Sequence, residues 1–111
     1  MPISPGVVTG DDYRAVVAAC KRGRYALPAV NVTSTSTVNA VLESAAQNKS
    51  DVIIQISNGG AEFFAGKGIS SRDALRARVL GAVSMAQHVH LVAPQYGVCV
   101  VLHTDHAHRD L

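Results

Sequence analysis

Val52-Ile-Ile-Gln-Ile56 decides the fold class of this chain. Four of its five residues are β-branched and apolar. Such side chains favour extended backbone, and a run without polar alternation suits a strand covered on both faces, as in a parallel sheet between helices. Ser57-Asn58-Gly59-Gly60 follows at once. A loop is expected from there to about Ser71, with Gly66 and Gly68 inside it.

Downstream, a helical period runs over residues 72–93. Leu75, Val79, Ala82, Val83, Ala86, His90 and Ala93 form its apolar stripe, and Pro94 and Gly97 end it. Val98-Cys-Val-Val-Leu102 is the next strand and runs into His103-Thr-Asp-His106. Upstream, Val38, Val41, Leu42 and Ala45 share a helical face, with candidate caps across residues 33–37 and an end at residues 48–50. Tyr25-Ala-Leu-Pro-Ala-Val30 is a strand interrupted or begun late, because Pro28 has no N–H for the ladder, and Asn31 closes it. A first helix places Tyr13, Val16, Val17 and Cys20 on one face. Thr9 caps it with Asp12 in a shortened capping box, and Gly23 stops it.

The elements alternate as helix, strand, helix, strand, helix, strand. Two strand–helix–strand crossovers make a parallel sheet of three strands with an unprotected edge. The expected fold is α/β: a (β/α)8 TIM barrel, of which residues 1–111 supply the amino-terminal helix and the first three strands with their helices. A doubly wound open sheet is the structural competitor.

Composition excludes several function classes. Of 111 residues, 48% are apolar and only 16% charged, which argues for a packed core and against a disordered tail. A net charge of +2 lacks the basic excess of a nucleic-acid-binding domain. No run of apolar residues is long enough to span a membrane, and the first ten residues lack a signal-peptide pattern. Cys20 and Cys99 have no metal or redox spacing and read as packing residues in a reduced, cytoplasmic chain.

Polar residues gather where the strands end: Asn31, then Ser57-Asn58-Gly59-Gly60, then His103-Thr-Asp-His106. Both candidate folds bind ligands at the carboxyl ends of parallel strands. The last cluster pairs imidazole, a zinc donor, with a carboxylate that can move protons. Asp105 and His106 reach one cavity only if the strand has ended and the chain is turning, since neighbours in a strand point to opposite faces. A solvated loop with ordinary histidines fits the same spacing. His103 and His108 are near in sequence but not obviously arranged around one ion. Two glycines after Ser57 let backbone N–H groups approach an anion, and Ala65-Gly-Lys-Gly68 adds a cation to the same loop, although both segments also suit plain turns. His88 and His90 lie two apart on a helix and are no ligand pair; His90 reads as partly buried.

Taken in order, Tyr25-Ala-Leu-Pro-Ala-Val-Asn31, Gln55-Ile-Ser-Asn-Gly-Gly-Ala61, Ala65-Gly-Lys-Gly68, Gly81-Ala-Val-Ser84, His88-Val-His90 and Val101-Leu-His-Thr-Asp-His106 resemble the amino-terminal third of a class II, metal-dependent fructose-bisphosphate aldolase. The resemblance implies a (β/α)8 barrel, a bound zinc ion (Zn2+), a homodimer, and reversible cleavage of the phosphorylated sugar fructose 1,6-bisphosphate to dihydroxyacetone phosphate and glyceraldehyde 3-phosphate. It implies that Asp105 is the acid/base on the C4 oxygen, His106 a zinc ligand, Asn31 a substrate contact and Ser57 part of the phosphate-binding region. Ala107 stands where many relatives have cysteine, and Cys99 where many have proline; neither touches a proposed role. The family's other zinc ligands and second phosphate site fall beyond Leu111, so the 111-residue chain alone is expected to be inactive and poorly folded. Tagatose 1,6-bisphosphate cleavage and a truncated, non-catalytic interaction module are the alternative readings.

Overall fold

A computed structural model describes residues 3–106. Its strands are β1 (Gly6–Val7), β2 (Ala29–Asn31), β3 (Val52–Ile56) and β4 (Cys99–Thr104). Its helices are α1 (Gly10–Gly23), α2 (Thr35–Gln47), α3 (Asn58–Ala65), α4 (Lys67–Ser70) and α5 (Ala74–Tyr96). All strands are parallel, in the order β1-β4-β3-β2. The sheet therefore has one strand more than expected. β1 is two residues long and carries no readable period; it is defined by its pairing, with Gly6 opposite Cys99 and Val7 opposite Val100. Gly6 adopts φ +125° with the Pro94 ring against it, 3.1 Å from where a Cβ would stand, so this position requires glycine.

β2 starts at Ala29, immediately after Pro28, whose carbonyl accepts from Ile53 N–H at 3.0 Å. The late start is what a missing N–H dictates. β3 corrects one expectation. Val52, Ile54 and Ile56 are buried, while Ile53 and Gln55 are half-buried. One face packs under the helices; no described element covers the other.

The core lies on the helix side, where Val38 and Leu42 of α2 and Met85 and Val89 of α5 close over Ile54 and Val100. Burying each large side chain here contributes about 1.5–3 kcal/mol. Ser34 caps α2: its hydroxyl accepts from Thr37 N–H at 3.2 Å, and the Thr37 hydroxyl accepts from Ser34 N–H at 2.9 Å. At α1, Thr9 takes the cap position without a side-chain cap bond, and Arg24, not Gly23, adopts the left-handed conformation that ends the helix.

The segment expected to loop holds α3 and α4 instead. Asn58-Gly-Gly60 is a poor helix opening by propensity. The helix forms because Ser57 caps it and Ala61 packs into the core. The apolar stripe of α5 is also not the expected one. Ala77, Gly81, Met85, Val89 and Ala93 are buried, whereas Leu75, Val79, Val83 and His90 are exposed. A Cβ on Gly81 would stand 1.8 Å from the carbonyl oxygen of Ala61. Small side chains make this contact because α3 and α5 approach too closely for large ones. Pro94 stays inside the last turn of α5, and Gly97 at φ 74° ends it.

Tyr13 and Val17 on α1 are exposed and only Val16 of its stripe is buried; Cys20 and Cys99 are half-buried and unpaired. Among the described residues, no helix is long and apolar enough to cross a membrane.

Candidate functional site

Register builds the site. Asn31 of β2 pairs with Gln55 of β3, and Gln55 pairs with His103 of β4, so the three form a row across the sheet. Side chains alternate along a strand, so this row lies on the face opposite the buried Ile54. Each row member is at or near the carboxyl end of its strand. Beyond the row, Asp105 N–H donates to Ile56 C=O at 2.9 Å, which extends the ladder past β4 and holds Asp105 at the rim.

The side chains join. Asn31 Nδ2 donates to Asp105 Oδ2 at 3.4 Å, Gln55 Nε2 donates to Asn31 Oδ1 at 2.9 Å, and His103 Nδ1 lies 3.2 Å from Gln55 Oε1. Asn31 and Asp105 are thus brought together across 74 residues of sequence. His103 belongs to the polar cluster His103-Thr-Asp-His106 that the sequence marks, whereas Gln55 does not stand out there as functional. The signal for Gln55 is present there nonetheless: it is the one polar residue in the most apolar strand.

His106 follows with φ 31°, so the chain turns at the strand end, as the joint use of Asp105 and His106 requires. Its Nε2 is 3.6 Å from Asp105 Oδ1, and its side chain is 88% exposed. Asp105, at 27%, is largely sheltered. His108 and Ala107 lie outside the described residues.

Ser57 accepts from Gly60 N–H at 3.0 Å and caps α3. Among the described residues its own O–H donates to no acceptor. The N–H groups of Asn58 and Gly59, in the first turn, lack intrahelical acceptors and suit an anion. Ser57 and Asp105 share the wall of a cavity of about 220 Å³ with Thr104 and Arg78. Arg78 Nε is 3.4 Å from Glu62 Oε2. Lys67 is not brought to this cavity; it lines a separate groove with Glu62 and Phe63. A larger groove, of about 480 Å³, lies at the other end of β2 and β3, beside Pro28 and Asp51, away from these groups.

Metal-donor chemistry is only partly supplied. Among the described residues no three His, Cys, Asp or Glu side chains cluster closely enough to hold an ion. His106 offers one exposed imidazole.

The family model for fructose-bisphosphate aldolase class-II matches residues 11–110. The chain belongs to this aldolase family. It is 53% identical over 109 residues to fructose-bisphosphate aldolase class 2 of Escherichia coli K12, and 54% identical over 109 residues to fructose-bisphosphate aldolase of Haemophilus influenzae. Each match covers 98% of this chain and 30% of the relative. The crystal structure of the Campylobacter jejuni fructose-bisphosphate aldolase superposes with a TM-score of 0.88 at 50% identity, over 98% of this chain and 30% of that one. The chain thus spans about 30% of the length of the aldolases it matches. Its fold is a segment of the aldolase (β/α)8 barrel, and the open doubly wound sheet is set aside.

Proposed function

We propose that residues 1–111 form the amino-terminal part of a single barrel domain, and that the full-length protein reversibly cleaves fructose 1,6-bisphosphate to dihydroxyacetone phosphate and glyceraldehyde 3-phosphate. One observation carries the reading: Asn31 at the end of β2 and Asp105 just past β4, 74 residues apart, meet at the carboxyl rim of a parallel sheet in a chain of this family.

In this reading Asp105 removes the proton from the C4 hydroxyl during cleavage and returns it during condensation. Asn31 donates from Nδ2 toward the same carboxylate and holds substrate beside it. The O–H of Ser57, with the first-turn N–H groups of α3, receives a phosphate of the sugar. His106 provides one nitrogen ligand to a zinc ion, and the other ligands come from outside the described residues. Zinc, when bound, supplies Lewis-acid polarisation of the ketone carbonyl. The protein acts in the cytoplasm as a homodimer.

Asp105→Ala in the full-length protein is expected to lower kcat by about 10²–10⁴-fold, the usual contribution of a positioned proton-transfer group, with zinc retained. His106→Ala is expected to lose zinc. Elemental analysis beside steady-state kinetics checks both. Zinc lost with Asp105→Ala, or kept in full by His106→Ala, would overturn the assigned roles. A kcat/KM for tagatose 1,6-bisphosphate at or above that for the fructose sugar would replace the substrate.

A further inference from the structure

The hydrogen-bonded row has a direction, and an ionised carboxylate sets it. Asp105, when ionised, can only accept. Asn31, 3.4 Å from it, must therefore turn its NH₂ group toward Asp105, which leaves Asn31 Oδ1 as an acceptor. Gln55, 2.9 Å from that oxygen, must turn its own NH₂ group toward Asn31. Gln55 Oε1 then faces His103 Nδ1 at 3.2 Å as an acceptor, so His103 carries its proton on Nδ1. Every amide orientation and the imidazole tautomer follow from the charge at one end. The row forms because Asn31, Gln55 and His103 are register partners on neighbouring strands.

We propose that Gln55 is a positioning residue for Asp105. It touches neither the C4 oxygen nor the carboxylate. Its NH₂ group locks the amide of Asn31 in the one orientation that donates to Asp105, and its carbonyl locks His103 as the Nδ1–H tautomer. This rests on the role assigned to Asp105 above and extends it to Gln55 and His103.

Two substitutions separate the two ends of Gln55. Gln55→Met removes both hydrogen bonds and adds no polarity to a strand otherwise built of Val and Ile. Gln55→Glu keeps an acceptor for His103 but loses the donor to Asn31. In the full-length zinc-loaded protein, both variants are expected to lose kcat for fructose 1,6-bisphosphate by about tenfold, the effect of one hydrogen bond, with KM moved by about twofold at most. Nitrogen-15 NMR of the histidine ring, at about pH 8 where free imidazole is neutral, is expected to show Nδ1–H at His103 in the unmodified protein and in Gln55→Glu. In Gln55→Met that ring shifts toward the Nε2–H form. Full kcat in Gln55→Met, or the same His103 tautomer in unmodified protein and Gln55→Met, would overturn the proposal. Absence of turnover by the unmodified protein would instead reject the aldolase reading, and the tautomer comparison would still decide whether the row has this direction.

Discussion

Asp51 lies at the end of the sheet opposite Asp105 and ties two strands together. Its Oδ1 accepts from Cys99 N–H at 3.3 Å, which ties the start of β4 to the start of β3. Burial pushes the Cys99 thiol up from its ordinary pKa, and the nearby charges of Asp51 and then Asp12 push it further. A pKa raised on folding favours the neutral thiol. The associated stability is full below the unfolded-state pKa and is lost as pH rises through the folded one. Cys99 is therefore expected to react with iodoacetamide more slowly than free cysteine at about pH 8. Asp51→Asn keeps an oxygen for the Cys99 N–H but removes the charge, and should speed that alkylation. Mass-spectrometric time courses read both rates; an unchanged rate in Asp51→Asn would remove Asp51 from the explanation. At this scale the sequence was generous with Asn31, Ser57, Asp105 and His106, because each sits in a polar cluster after an apolar run. It marked Gln55 only as the one polar residue in an apolar strand, because the proposed role of Gln55 depends on which residues stand opposite it.

Helices α3 and α5 carry the clearest lesson at the scale of elements. The helical period read from the sequence puts Leu75, Val79 and Val83 in the inward stripe of α5. The fold buries Ala77, Gly81 and Met85 instead. Gly81→Ala makes this a measurable claim. On an open helix surface that exchange stabilises by roughly 1 kcal/mol. Here the new Cβ would stand 1.8 Å from a backbone oxygen of Ala61, which cannot rotate away. Destabilisation of roughly 1–3 kcal/mol is expected, as for an overpacked core, and the urea midpoint of the full-length protein should fall accordingly. A midpoint that rises would mean α3 yields at no cost. Helix α2 was legible throughout, because its cap and its stripe are both local. Ser34→Ala should cost about 1 kcal/mol in the same experiment.

For the whole molecule, the relevant quantity is how much of the barrel these residues supply. Leu75, Val79 and Val83 on α5 and Tyr13 and Val17 on α1 are exposed apolar surface. The β2 edge of the sheet pairs with no described strand. The proposed zinc site is equally partial: among the described residues no three donors cluster, where catalytic zinc commonly takes three protein ligands. The 111-residue polypeptide by itself is thus expected to show no zinc-dependent aldol cleavage under conditions where the full-length protein turns over. A coupled assay on both, with zinc retention measured by equilibrium dialysis, checks this; robust turnover by the short chain would mean that its own residues complete the site.

The amino-acid order alone determined strands β2, β3 and β4, helices α1, α2 and α5, their parallel arrangement and the polar clusters at the rim, while α3 and α4 read as a loop. Apolar periods, caps and proline act within a few residues, and so can be read there. Only the tertiary structure decided that Gly6–Val7 pairs with β4, that α5 buries Ala77, Gly81 and Met85 rather than Leu75, Val79 and Val83, and that Gln55 stands between Asn31 and His103. Each of these depends on contacts between segments distant in the chain, whose strength is set by distance in space and leaves no local period in the sequence.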